Sequence, residues 1–123
     1  QGPMRTRPGT PDRPPPTIDP ATFAELQETA GDEFVAELVG TFLEEAPLML
    51  ADLRTAQAGG AADQFRRVAH SIKSNANTFG ALHLGEMARR LELGGLIVDA
   101  APLDELDAEY ARAAAALKEL TGG

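Results

Sequence analysis

The chain has no cysteine and no tryptophan, only one tyrosine and five phenylalanines. Without cysteine there is no disulfide scaffold and no thiolate-bound metal, and a reducing compartment is accommodated. β-branched residues are sparse while alanine and leucine abound. That favours helices packed through small and medium side chains over a sheet. No apolar run approaches the ~20 residues a membrane span requires, and no secretory signal is visible, so a soluble, cytoplasmic protein is expected. A glycine-rich phosphate loop followed by Lys and Ser or Thr is missing as well. The Gly59-Gly60 and Gly94-Gly95 pairs fall at helix ends instead of forming a nucleotide cradle.

Positive charge is also scarce. The net charge is −8, and residues 1–17 hold three of the arginines and one aspartate. Residues 18–123 therefore carry 8 basic against 18 acidic side chains, a net of −10. A field of that sign repels phosphodiester backbones, so nucleic acid is not an expected partner. Any cluster of cations stands out against it, and Arg66, Arg67 and Lys73 form one.

With 123 residues there is room for one domain and one modest core. Residues 1–17 read as a disordered leader, rich in Pro and Arg with little to bury. Its Gln1-Gly2-Pro3 start, ahead of Met4, resembles the remnant of a cleaved expression tag. The domain is expected over residues 18–121. Asp19-Pro20 supplies an N-cap carboxylate and a proline at the first helical position, opening a short helix that Gly31 closes. Asp32 is placed to cap a long second helix reaching about Ala58. Its stripe is Val35, Leu38, Val39, Phe42, Ala46, Met49, Leu50 and Leu53, and Pro47 should kink it near Leu43. A third helix spans about Ala61 to Phe79 and a fourth about Leu82 to Leu93. Leu96-Ile97-Val98 reads as an apolar loop over the bundle end. Pro102 opens a fifth helix with a stripe of Leu103, Leu106, Tyr110, Ala113, Ala114 and Leu117, its outer face carrying Glu105, Glu109 and Arg112. Single stripes and short loops predict an all-α fold: an antiparallel four-helix bundle with a short N-terminal capping helix.

The third helix carries the chemistry. Phe65, Val68, Ala69, Ile72, Ala76 and Phe79 fall in one stripe, about 100° wide at about 100° per residue. His70 lies about 150° from its middle, facing water, with Arg66, Lys73, Ser74 and Asn77 on the same face. A lone histidine is most often an ordinary surface or core residue. Here, however, His70, Lys73, small Ser74, small Ala76 and the Gly80-Ala81 pair share one register. An exposed imidazole, with an unperturbed pKa of about 6.5, is a nucleophile near neutral pH. It can take a phosphoryl group on nitrogen through a loose, metaphosphate-like transition state. Lys73, one turn on, is placed to neutralise charge on the phosphoryl oxygens, and Ser74 and Asn77 to donate hydrogen bonds to them. His83 has Glu86 three residues on where a lysine would be needed, and reads as a surface residue. The spacing of His70, His83 and Glu86 is no recognised metal-ligand pattern.

The run His70-Ser71-Ile72-Lys73-Ser74-Asn75-Ala76-Asn77-Thr78-Phe79-Gly80-Ala81 resembles the signature of the histidine-containing phosphotransfer (HPt) domains. Leu84, Met87, Ala88 and Arg90-Leu91-Glu92 are similar to that family's following helix, and the resemblance covers Asp19 to Leu120. Asn75 is bulkier than the family's commonest choice but falls beside the apolar stripe. The resemblance implies a phosphorelay carrier with His70 as phosphoacceptor and Lys73 as charge stabiliser. It exchanges the phosphoryl group with the aspartate of response-regulator receiver domains, one of them possible in a hybrid histidine kinase. No cofactor is expected in this chain, and Mg²⁺ belongs to the receiver. The partner surface is expected to include Arg66, Arg67, Ser74, Asn77 and Phe34, the last with Phe23 and Leu26 in an apolar patch beside His70. A monomer without its own ATP site follows. Two other readings are the phosphoacceptor domain of a chemotaxis-type histidine kinase, and a helical adaptor whose histidine is never phosphorylated.

Overall fold

The computed structural model describes residues 16–122, so the leader expected over 1–17 lies, up to residue 15, outside the described residues. Five helices follow in order: α1 (Pro20–Ala30), α2 (Asp32–Gly59), α3 (Ala62–Thr78), α4 (Leu82–Gly94) and α5 (Ala101–Leu120). α2 packs on α3, α3 on α4, α4 on α5 and α5 back on α2, which closes a four-helix ring. α1 lies against α2 and α3 as a cap. The bundle with its short N-terminal helix is the architecture the apolar stripes predict. No described helix is long and apolar enough to cross a membrane.

Helix starts follow local chemistry, with one exception. Asp19 caps α1, its carboxylate accepting from the Thr22 N–H at 3.0 Å and the Thr22 hydroxyl at 2.6 Å, with Pro20 in the first turn. Asp32 does not cap α2: Gly31, at φ 92°, is the N-cap, and Asp32 is the first helical residue. Its carboxylate acts there as a first-turn charge on the helix dipole. α2 runs unbroken through Pro47. Proline has no N–H to offer the Leu43 carbonyl, and the Tyr110 hydroxyl donates to that oxygen across the bundle at 3.4 Å.

The core is built from the expected stripes. All six stripe residues of α3 are buried, and so are Val35, Val39, Phe42, Ala46 and Leu53 of α2. Phe42 packs on Phe79 with centroids 5.3 Å apart and meets Tyr110 edge-on at 5.9 Å. Two expectations fail here. Glu109, placed on the outer face of α5 by its period, is 5% exposed, its carboxylate held by the Arg112 guanidinium at 2.7 Å. Pairing with an arginine that itself reaches solvent lets the charge sit at the edge of the core. In the loop after α4, Leu96 and Val98 are exposed and only Ile97 turns inward. Its backbone N–H donates to Gln57 Oε1 at 3.0 Å, and the Gln57 amide donates back to its carbonyl. One side chain thus satisfies both polar groups of the one loop residue that packs.

Candidate functional site

α3 and α4 form a tight helical hairpin, and its turn sets the register of the site. The Ala81 N–H bonds the Ala76 carbonyl at 2.9 Å and the Gly80 N–H bonds Asn77 at 3.1 Å. With Gly80 at φ 86°, this is a Schellman ending, which puts a residue without Cβ in the left-handed region. Asp19 donates its N–H to the Gly80 carbonyl at 2.8 Å, so the start of α1 docks on the same turn.

Antiparallel helices bring residues equidistant from the turn level with one another. His70 stands eleven residues before Ala81 and Glu92 eleven after. His70 Nδ1 is 2.9 Å from Glu92 Oε2, and Lys73 Nζ is 3.0 Å from Glu92 Oε1. The imidazole is 55% exposed, the lysine 24% and the glutamate 17%. Lys73 first, then the His70 N–H, holds the Glu92 carboxyl below the usual carboxylate range. An ionised carboxylate only accepts, so Nδ1 carries the proton and Nε2 keeps its lone pair. The geometry therefore engages one ring nitrogen and leaves the other, Nε2, outside the Glu92 contact. Buried Oε1 has no partner in hydrogen-bonding geometry, and the Lys73 ammonium compensates it as an ion pair.

Arg66, Arg67, His70, Ser71 and Glu92 line an open depression beside the imidazole. Arg66 approaches Asp63 at 3.6 Å, and Arg67 donates to Gln64 at 3.3 Å. Ser74 is exposed one turn on, its carbonyl accepting from the Thr78 hydroxyl at 2.9 Å. Asn77 is exposed but stands two turns beyond His70, about 10 Å along the axis. Its amide lies over Gly85 of α4, where an added Cβ would come within 2.1 Å of Asn77 Oδ1. Phe34 is exposed, but on the first turn of α2. Met49 and Asp52 are the α2 residues that share a groove with Arg67 and Ser71. Phe34 thus lies roughly 25 Å from the level of the histidine along the helix axis, at 1.5 Å per residue. Nor does the patch expected with Phe23 form, because Phe23 is 3% exposed and belongs to the core. Among the described residues, no group of three or more His, Cys, Asp or Glu side chains is disposed to hold a metal ion.

Sequence reasoning missed Glu92 as a site residue and Gly85 as the point of closest approach. Reflection about the Gly80-Ala81 turn finds both, since His70 mirrors Glu92 and Asn77 mirrors Gly85 about Ala81.

The family model of the Hpt domain matches residues 37–116. Comparison with curated protein sequences gave no match. Among solved structures, the chain is similar to histidine-containing phosphotransfer protein B (HptB) from Pseudomonas aeruginosa PAO1. The TM-score is 0.76 and the identity 26%, over 87% of this chain and 96% of that one.

Proposed function

Because the chain belongs to the Hpt domain family and is a histidine phosphotransfer carrier of two-component phosphorelays, we propose that the phosphoryl group it carries sits on Nε2 of His70. Hpt domains work with response regulators and histidine kinases. The exchange proposed here is with the aspartate of a receiver domain, the chain acting as a cytoplasmic monomer. The single observation that supports His70 is the Glu92 hydrogen bond to Nδ1, which leaves the other ring nitrogen with a free lone pair in an exposed ring.

In the forward step the Nε2 lone pair attacks phosphorus, the P–O bond of the aspartyl phosphate breaks, and the aspartate leaves as a carboxylate. The ring keeps its Nδ1 proton throughout and becomes a phosphorylated imidazolium. Its N–H then bonds the Glu92 carboxylate as an ion pair, a stronger bond than the neutral one it replaces. Reversal returns the group to an aspartate. Charge on the peripheral oxygens is offset by the cations around His70, while Mg²⁺ and the reacting carboxylate come from the receiver. Nothing in the proposed step uses ATP, so a kinase elsewhere must supply the first phosphoryl group. Small Ser74 leaves room for a receiver to bring its aspartate in line.

The test is incubation of the full chain with a phosphorylated receiver. The expected result is an acid-labile, base-stable label on this chain that His70→Gln abolishes. A label that survives His70→Gln, or none with any receiver of the source organism, overturns the assignment.

A further inference from the structure

Six arginines fall among the described residues, and four of them are committed. Arg54, Arg89, Arg90 and Arg112 each hold a carboxylate at 3.2 Å or less. The remaining two, Arg66 and Arg67, have only a 3.6 Å approach to Asp63 and a 3.3 Å bond to a neutral glutamine. They stand side by side on the turn before His70 and line the depression at its ring. Helical side chains lean back toward the N-terminus, so the His70 imidazole leans over that turn. Lys73, the cation on the other side, is already engaged by Glu92 at 3.0 Å and does not line the depression.

Charge decides what such a site needs. A phosphoryl group brings ≈ −1.5 to −2 at neutral pH. It arrives beside the Glu92 carboxylate, whose charge Lys73 roughly cancels, in a fold that is strongly acidic overall. Two loosely held guanidinium groups within one turn supply the missing positive charge, and planar N–H pairs suit phosphoryl oxygens better than a point charge does.

We propose that Arg66 and Arg67 bind the oxygens of the phosphoryl group carried on His70, and that Lys73 serves chiefly to hold Glu92 against the imidazole. This rests on His70 being the phosphoacceptor. On phosphorylation Arg66 gives up its distant Asp63 and Arg67 its glutamine, each for a shorter, charge-assisted contact.

The experiment charges the full chain with phosphoramidate, whose P–N bond breaks with loss of ammonia as the Nε2–P bond forms, and follows the phosphohistidine by ³¹P NMR against pH. Nearby cations hold the second ionisation of the group low. In Arg66→Gln/Arg67→Gln, that midpoint is expected to rise by about 0.5 unit or more relative to wild type. Arg89→Gln, which removes one positive charge outside the depression, is expected to leave it unmoved. All three sites are on the solvent side, and circular dichroism checks that each variant is folded. A double variant that titrates with the wild type, or one that Arg89→Gln matches, overturns the proposal. If wild type gives no resonance that His70→Gln removes, the phosphoacceptor assignment itself falls, and this inference with it.

Discussion

His70, Lys73 and Glu92 form one unit, in which the carboxylate sets the tautomer and the ammonium sets the carboxylate. Glu92→Gln keeps an oxygen that can accept from Nδ1 but loses the charge. Glu92→Ala loses both. Transfer is therefore expected to slow modestly in Glu92→Gln and by roughly tenfold or more in Glu92→Ala. ¹⁵N NMR of the imidazole gives the readout that a merely structural role would not move. Wild type should show Nδ1–H as the dominant neutral tautomer and Glu92→Ala a mixture of the two. Retention of the wild-type tautomer in Glu92→Ala would remove the carboxylate from the mechanism. Lys73→Ala is expected to slow transfer by about tenfold without unfolding the domain, since its ammonium pairs with Glu92 outside the apolar core. Period alone put His70 and Lys73 on the solvent side of their helix, because a single helix determines which of its faces is apolar. Glu92 escaped that reasoning because its partner is 22 residues away, and pairing across a hairpin depends on turn geometry that periodicity does not contain.

At the level of helices, the α3–α4 hairpin is the part that must hold still. Gly80 is needed twice over: its φ is 86°, and a Cβ there would lie 3.0 Å from the Asp19 carbonyl and 3.2 Å from Thr22 Cβ. Gly80→Ala should cost about 2 kcal/mol in urea unfolding, from left-handed strain and from pushing the start of α1 off the turn. Gly85 is a different case. Its φ is ordinary for a helix, and only the Asn77 amide stands in the way. Alanine in a helix interior is worth about 1 kcal/mol over glycine. Gly85→Ala should therefore stabilise an Asn77→Ala background by about that amount, and wild type distinctly less. Equal effects in the two backgrounds would mean that the close approach at Asn77 carries no energy. Helix ends were legible at Asp19-Pro20, Gly31, Gly80 and Pro102, where capping chemistry is local. The burial of Glu109 and the inward turn of Ile97 were not. Both are decided by tertiary packing: Ile97 is held by Gln57, 40 residues away, and Glu109, whose partner Arg112 is local, is buried by the way α5 seats in the ring.

Over the whole molecule, excess negative charge and a few well-held carboxylates pull stability in opposite directions as pH falls. The fold carries a net of −10 over residues 18–123, so protonating unpaired carboxylates first relieves self-repulsion. Against this stand the carboxylates whose folded state prefers the charged form. Glu86 is pushed down to about 2, chiefly by its hydrogen bond from Arg89 and then by Arg90. Glu92 is lowered by Lys73 and His70, and Asp19 by the Thr22 hydroxyl and backbone N–H. A group depressed on folding contributes stability that is fully present above its unfolded pKa, about 4.3 for glutamate. That contribution is lost as pH falls through the folded value. Between pH 7 and about 5 free carboxylates, which titrate near pH 4, stay ionised in both states, so the melting temperature should hold. Below about pH 4 these carboxylates begin to protonate on unfolding, and it should fall steadily toward pH 2. Glu86→Gln removes one such group without touching the histidine site, so thermal melts of that variant should decline less steeply between pH 4 and 2. An unchanged slope would mean that the Arg89 and Arg90 contacts persist equally in the unfolded chain, and that acid lability arises from Glu92 and Asp19 at the two ends of the hairpin.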